Sequence, residues 1–227
     1  MMSENQPELP NGGQLTVERF QQLGLSFGGA GSSHKLHTLV LQAYLQITSE
    51  SNSISYELLN QFENSLGFET NIIYFLFQEA IYCNGESNAT NWSAERKRPA
   101  EFTSDITKLT KDQKFLFTGE MVFPSMLKDH SELKPLTKLA ELLHSHTNWS
   151  EIYNLSTLKT IKFDKLPIVA AMYFDDQYVD FQLGLNDLKY FEFKKFVTNQ
   201  LFHNGLRIQT DLVLDTLFGI IENGEYI

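Results

Sequence analysis

The 227 residues carry 28 acidic against 18 basic side chains, a formal net charge of −10, which makes nucleic acid and anionic membranes electrostatically unsuited as partners. A cationic group, such as a free amino terminus, suits an acidic surface better. With 42% hydrophobic residues, 18 Phe and 9 Tyr, the chain can fill a core as one large or two small domains, which excludes a disordered polypeptide. Cys83 is the sole cysteine, so no intramolecular disulfide is possible, and a reducing, cytoplasmic setting is expected. The opening MMSENQPELPNGG has neither a basic end nor an apolar core of its own, so no signal peptide is expected. No apolar run reaches membrane-spanning length. Without a secretion signal, the sequons at Asn88, Asn91, Asn148 and Asn154 read as chance in an Asn- and Ser-rich chain.

Residues 1–13 read as a flexible tail or connection, and residues 14–160 as a mostly helical domain. A first helix starts near Thr16, with Phe20 and Leu23 inward. Next, Gly24-Leu25-Ser26-Phe27-Gly28 matches the G-x-S-x-G nucleophile elbow, and the order Ser26, Asp176, His203 would suit a hydrolase. The elbow needs a buried strand before it and a helix after it. Here charged, helix-periodic VERFQQL precedes and the loop-like GAGSSHK follows, so Ser26 is not expected to be a nucleophile.

Leu36, Val40, Leu41, Tyr44 and Leu45 recur at helical spacing between Lys35 and Leu45. Further helices are expected over 55–66 and 70–82. His34 and His37 share a helical face but lack further ligands for a metal. Glu79 stands among apolar neighbours in FQEAIYCNG, where a carboxylate costs stability unless paired or solvated. A polar surface stretch runs from Glu95 to Lys114, and Glu120 is the single acid in FLFTGEMVFPSML. An amphipathic helix covers 136–144, ending at His144, whose charge would complement the helix dipole.

From residue 161 the pattern changes to that of a β-α-β-α segment. The run from Pro167 to Phe174 ends at Asp175 and Asp176, and a second run, Glu192 to Thr198, ends in a loop holding His203 and Gly205. Apolar runs of this length fit parallel strands buried on both faces. A closing helix is expected over 210–221, with Leu212, Leu214, Leu217 and Phe218 inward. In open α/β sheets, chemistry gathers beyond the carboxyl ends of the strands. An acid after one strand and a histidine after the next is the placement of two members of a Ser-acid-His triad, so Asp176 and His203 form a candidate acid–base pair; the plain alternative is two ordinary loop residues.

The segments VAAMYFDDQYVD and FVTNQLFHNGLR resemble the end of the proline iminopeptidase family of α/β-hydrolases. Gln177, Leu201 and Asn204 depart from the family's pattern, which leaves the acid and the histidine in place. LPNGGQLTVERFQQLG, EAIYCNG with Trp92 and Arg96 following, and FLFTGEMVFPSML resemble segments of that family's helical cap. The resemblance implies an α/β fold class: a helical cap at 14–160 and the incomplete C-terminal part of a hydrolase core at 161–227. It implies a serine aminopeptidase that removes N-terminal proline, with Asp176 orienting His203 and with Asp175 and Asp180 as fallback acids. Glu79 and Glu120 would bind the substrate's amino group, and Trp92 and Arg96 would be packing and ion-pair partners. No metal or organic cofactor is implied.

The same resemblance places the nucleophilic serine outside this chain. Three readings follow: a fragment or split product inactive alone, a non-catalytic peptide-binding or interaction module, or recruitment of Ser26. The expected partners are a peptide with a free N-terminus and either an N-terminal half or a second copy. Two strands alone would leave unpaired sheet edges, so such a partner is expected for stability.

Overall fold

The computed structural model describes residues 6–86 and 89–224, and residues 1–5 and Asn88, the first residue of its sequon, lie outside them. The chain divides into two compact units, Met1–Ser26 with His34–Glu151, and Phe27–Ser33 with Ile152–Ile227.

The first unit is helical. Its elements are α1 (Val17–Gln21), most of α2 (Ser32–Ile47), α3 (Tyr56–Glu63), α4 (Ile72–Phe77), α5 (Ser93–Lys97), α6 (Met126–Asp129) and α7 (Thr137–Ser145). Thr16 caps α1 by accepting the Arg19 N–H, and Ser55 caps α3 by accepting that of Leu58. The core joins Leu66, Phe68, Phe75, Leu76, Val122, Phe123, Met126, Leu127, Leu133 and Ala140. The apolar density of 115–127 is thereby explained: Val122, Phe123 and Met126 are buried in a loop and a short helix.

Three expectations differ here. Residues 6–13 are packed: Leu9 is buried, Glu8 bridges to Gln14, and the Gln14 N–H donates to the Asp129 carbonyl. The helix expected over 70–82 stops at Phe77, and a 3-10 turn, Ala80–Tyr82, follows Glu79. On α2 only Leu36 of the five periodic residues is buried; Leu41, Tyr44 and Leu45 face outward.

The second unit runs α8 (Leu155–Leu158), β1 (Val169–Tyr173), α9 (Phe181–Asn186), β2 (Lys194–Thr198), α10 (Gly205–Ile208) and α11 (Thr210–Asn223). β1 and β2 pair in parallel, Val169 opposite Lys194 through Tyr173 opposite Thr198, so both carboxyl ends lie at the same edge. α11 covers one face, where Tyr173, Phe196, Leu201, Val213 and Ile220 form the core with Leu217 beside them. The opposite side is open enough that Val197 is 43% exposed, so the strands are not buried on both faces. The inward stripe of α11 is Val213–Leu217–Ile220, whereas Leu212, Leu214 and Phe218 are exposed. LVLDTLFGII is apolar nearly all round, so period alone leaves the phase of the helix open, and the contact with Tyr173 and Phe196 decides it.

Gly205 shows why the histidine loop needs a glycine. A Cβ there would lie 2.8 Å from Tyr173 Cζ and 2.9 Å from Leu201 Cβ, against ordinary carbon contacts of about 3.5–4.0 Å. Gly205→Ala is expected to destabilise the second unit by about 1–3 kcal/mol through overpacking, read as a lower denaturant midpoint at unchanged m-value. An unchanged midpoint would mean that the loop relaxes freely.

Candidate active site

Asp176 and His203 meet at the carboxyl ends of the paired strands. Asp176 follows β1 by three residues, and its backbone N–H donates to the Tyr173 carbonyl. Its Oδ1 accepts from the backbone N–H groups of Tyr178, at 2.8 Å, and Val179, at 3.0 Å. This local turn is what a short Asp side chain is suited to form. Oδ2 is left to face His203 Nδ1 at 3.0 Å. The carboxylate is only 5% exposed, while the imidazole is 47% exposed.

The pair therefore has a fixed member and an accessible one. An Nδ1–H donated to Asp176 leaves the Nε2 lone pair free to take a proton, the arrangement a general base requires. A small cavity of about 160 Å³ beside the pair is lined by Ala171, Met172, Tyr173, Val179 and Phe181. The fallback acids are placed differently. Asp180 caps α9 by accepting the Leu183 N–H at 2.8 Å, and Asp175 makes no hydrogen bond or ion pair among the described residues.

Ser26 lies in a 3-10 helix, Gln22–Gly28, and its hydroxyl donates to the Leu23 carbonyl at 3.0 Å. No strand precedes it among the described residues, so the elbow geometry is absent.

In the first unit, Glu120 Oε1 accepts from the Tyr74 hydroxyl at 2.6 Å and from Gln78 Nε2 at 3.2 Å. No cation pairs with it among the described residues. Glu79 is more fully engaged. Its oxygens accept from the backbone N–H groups of Ser93 and Ala94, both at 2.9 Å, and one lies 3.3 Å from His144 Nδ1. Burial pushes its carboxyl up, but His144 and those two N–H groups outweigh burial and hold it below the usual range. Glu79 thus satisfies the first turn of α5 in place of a capping side chain on Trp92. The expectation that it serves a ligand ammonium meets a carboxylate already largely occupied.

His144 is buried beneath Trp92, their rings stacked at 3.6 Å and 18°. Trp92 takes a left-handed φ of 54°, unusual for a bulky residue and held by that stack. Arg96 donates to the backbone carbonyls of Asn91, at 2.8 Å, and Thr90, at 2.9 Å, rather than forming the expected ion pair. Among the described residues no three His, Cys, Asp or Glu side chains gather as metal ligands. No helix among them is long and apolar enough to cross a membrane.

No family model matches the sequence. Curated proteins do match. The chain is 36% identical over 210 residues to a proline iminopeptidase of Aeromonas sobria, covering 92% of this chain and 46% of that protein. It is 31% identical over 223 residues to proline iminopeptidase aneH of Aspergillus aculeatus, covering 98% and 48% respectively.

The chain is a homologue of the proline iminopeptidases. It spans about half the length of the curated relatives it matches. The match to the Aspergillus aculeatus protein covers 98% of the chain and so runs through both units.

A polar network that sequence reasoning did not single out lies near the start of the chain. Arg19, 1% exposed, pairs with Glu69 at 2.6 Å and donates to the Asp129 carbonyl at 2.8 Å. Asn11 Nδ2 and Ser131 Oγ also donate to Glu69, and Thr16 Oγ1 donates to the Asp129 carboxylate. His130, fully buried, lies 3.1 Å from Gln22 Oε1 and 3.5 Å from Glu69. The sequence shows only an arginine between Val17 and Gln21 in a short helical stretch; that all three are buried emerges from the structure.

Proposed function

We propose that this chain is the part of a serine aminopeptidase that carries the acid–base pair and a helical cap, in the incomplete C-terminal portion of an α/β-hydrolase fold. The nucleophilic serine lies outside it. The observation that carries the reading is the 3.0 Å contact of His203 Nδ1 with an Asp176 whose other oxygen is held by two backbone N–H groups. The names of the relatives supply the substrate class, peptides with N-terminal proline.

In this reading a serine hydroxyl attacks the scissile carbonyl and passes its proton to His203 Nε2. Asp176 keeps the imidazole in the Nδ1–H tautomer and stabilises the imidazolium that forms. The same proton then goes to the leaving amine. Water attacks the acyl-enzyme by the same route and releases proline.

Glu120, a carboxylate lacking a cation, suits the substrate's ammonium, and Gln78 and the Tyr74 hydroxyl orient it. Glu79, expected beside it as a second acid, would act chiefly by holding α5 in place.

The test is hydrolysis of a chromogenic proline amide by this chain alone and after mixing with the remaining half of the Aeromonas sobria relative. Silence alone and activity on mixing, unaffected by Ser26→Ala, supports the reading. Activity of the lone chain that Ser26→Ala abolishes overturns it. Peptide binding with no activity in either arm would make the chain a binding module instead. In the reconstituted enzyme, Glu120→Gln is expected to lower kcat/KM by about 10- to 100-fold, the worth of one hydrogen bond to a charged group. An N-acylated substrate, lacking the ammonium, should show no such difference between the two proteins.

A further inference from the structure

The glycine-rich segment 27–30 is not used by the chemistry above, yet it belongs to the same compact unit as Asp176 and His203. A Cβ built on Gly28 would lie 1.9 Å from Tyr178 Cε2 and 2.5 Å from Cζ. The Tyr178 ring therefore rests flush on the Gly28 backbone, a seat that no larger residue provides. The other side of that contact is the histidine: the Tyr178 and His203 rings meet edge to face, centroids 4.7 Å apart at 73°. Two residues on, the Ala30 N–H donates to Asn204 Oδ1 at 3.1 Å, and Asn204 directly follows His203.

We infer that the 27–30 loop is a positioning element for the His203 imidazole, acting through Tyr178 and Asn204. The inference rests on the reading of Asp176 and His203 as an acid–base pair. An imidazole that is 47% exposed and holds one hydrogen bond has rotamers to lose, so it needs a wall to keep its orientation. Tyr178 supplies that wall and ties it to the acid, because its backbone N–H donates to Asp176 Oδ1 while its ring faces His203. Gly28 fixes the ring from behind. Asn204 anchors the histidine's own backbone to the same loop. The G-x-S-x-G match is thereby given a use that does not involve its serine: the second glycine is a seat for an aromatic ring.

The experiment is nitrogen-15 NMR of the histidines in the whole chain at about pH 8, where an ordinary imidazole is neutral. The wild type is expected to hold His203 as the Nδ1–H tautomer, and Asp176→Ala to abolish that preference. Gly28→Ala and Tyr178→Ala should each lower the ratio of Nδ1–H to Nε2–H tautomer by about two- to tenfold, the worth of one aromatic contact. Tyr178→Phe, which keeps the ring, should leave it unchanged. Methyl signals of Val213 and Ile220 report whether the unit stays folded; if Gly28→Ala unfolds it, Tyr178→Ala carries the test. Should the wild-type tautomer be mixed and indifferent to Asp176→Ala, the acid–base reading fails. Should that preference be present but indifferent to Gly28→Ala and Tyr178→Ala, or be lost in Tyr178→Phe, the positioning inference is overturned.

Discussion

Asp176→Asn is expected to lower kcat of the reconstituted enzyme by about 10,000-fold with KM nearly unchanged. The size follows from which way the new amide must point. Two backbone N–H groups, of Tyr178 and Val179, converge on the Oδ1 position. Only the carbonyl oxygen of an asparagine satisfies them, so its NH2 is turned toward His203. An NH2 can only donate, which obliges Nδ1 to accept and moves the imidazole proton to Nε2. That nitrogen then has no lone pair with which to receive the serine proton. Substrate binding does not depend on this tautomer, so KM should hold. A loss below tenfold, measured on the chromogenic proline amide, would remove Asp176 from the mechanism.

The meeting of Asp176 with His203 was legible from the order of the elements, because parallel pairing of β1 and β2 brings the loop after each strand to one edge. Asp176 closes its own turn with the second and third residues after it, and Gly205 is required where the next loop folds back on Tyr173. The strands were legible from their apolar runs, though not their burial, since run length does not say which face another element covers. The phase of α11 was lost for a related reason: a helix apolar on most sides names its inward stripe only through its contacts. Glu79 was legible as an acid in apolar company, but two of its partners are backbone N–H groups, which no side-chain pattern encodes, and the third, His144, lies far along the chain. The Arg19 network was hidden by distance along the chain, with Glu69 50 residues away and Asp129 110.

That network carries the largest stability effect expected in the molecule. Burial alone would push the Glu69 carboxyl up, but the His130 ring and the Arg19 guanidinium outweigh it and hold it down at about 2, against 4.5 for a free glutamate. The unfolded chain therefore takes up this proton before the folded one does. The stability that ionised Glu69 contributes is fully present above pH 4.5 and is lost as pH falls from there toward about 2. His130 adds a loss in the same direction at milder acidity. Burial, together with the Arg19 charge, lowers its pKa below the ordinary imidazole value of 6.5, so the unfolded state gains that proton first.

Glu69→Ala removes the carboxylate and leaves Arg19 buried without its counter-charge, and three further donors from Asn11, Ser131 and the Glu132 backbone lose their acceptor. The expected cost is about 3–5 kcal/mol, a fall in Tm of roughly 6–20 °C. Arg19→Met together with Glu69→Leu should recover part of this, because no uncompensated charge remains. Recovery should be incomplete, because the other donors still face an apolar side chain. Melts of the single and double variants at neutral pH and near pH 4 check both statements. If Glu69→Ala melts with the wild type, or the acid sensitivity survives its removal unchanged, the helical unit is held by its apolar core alone.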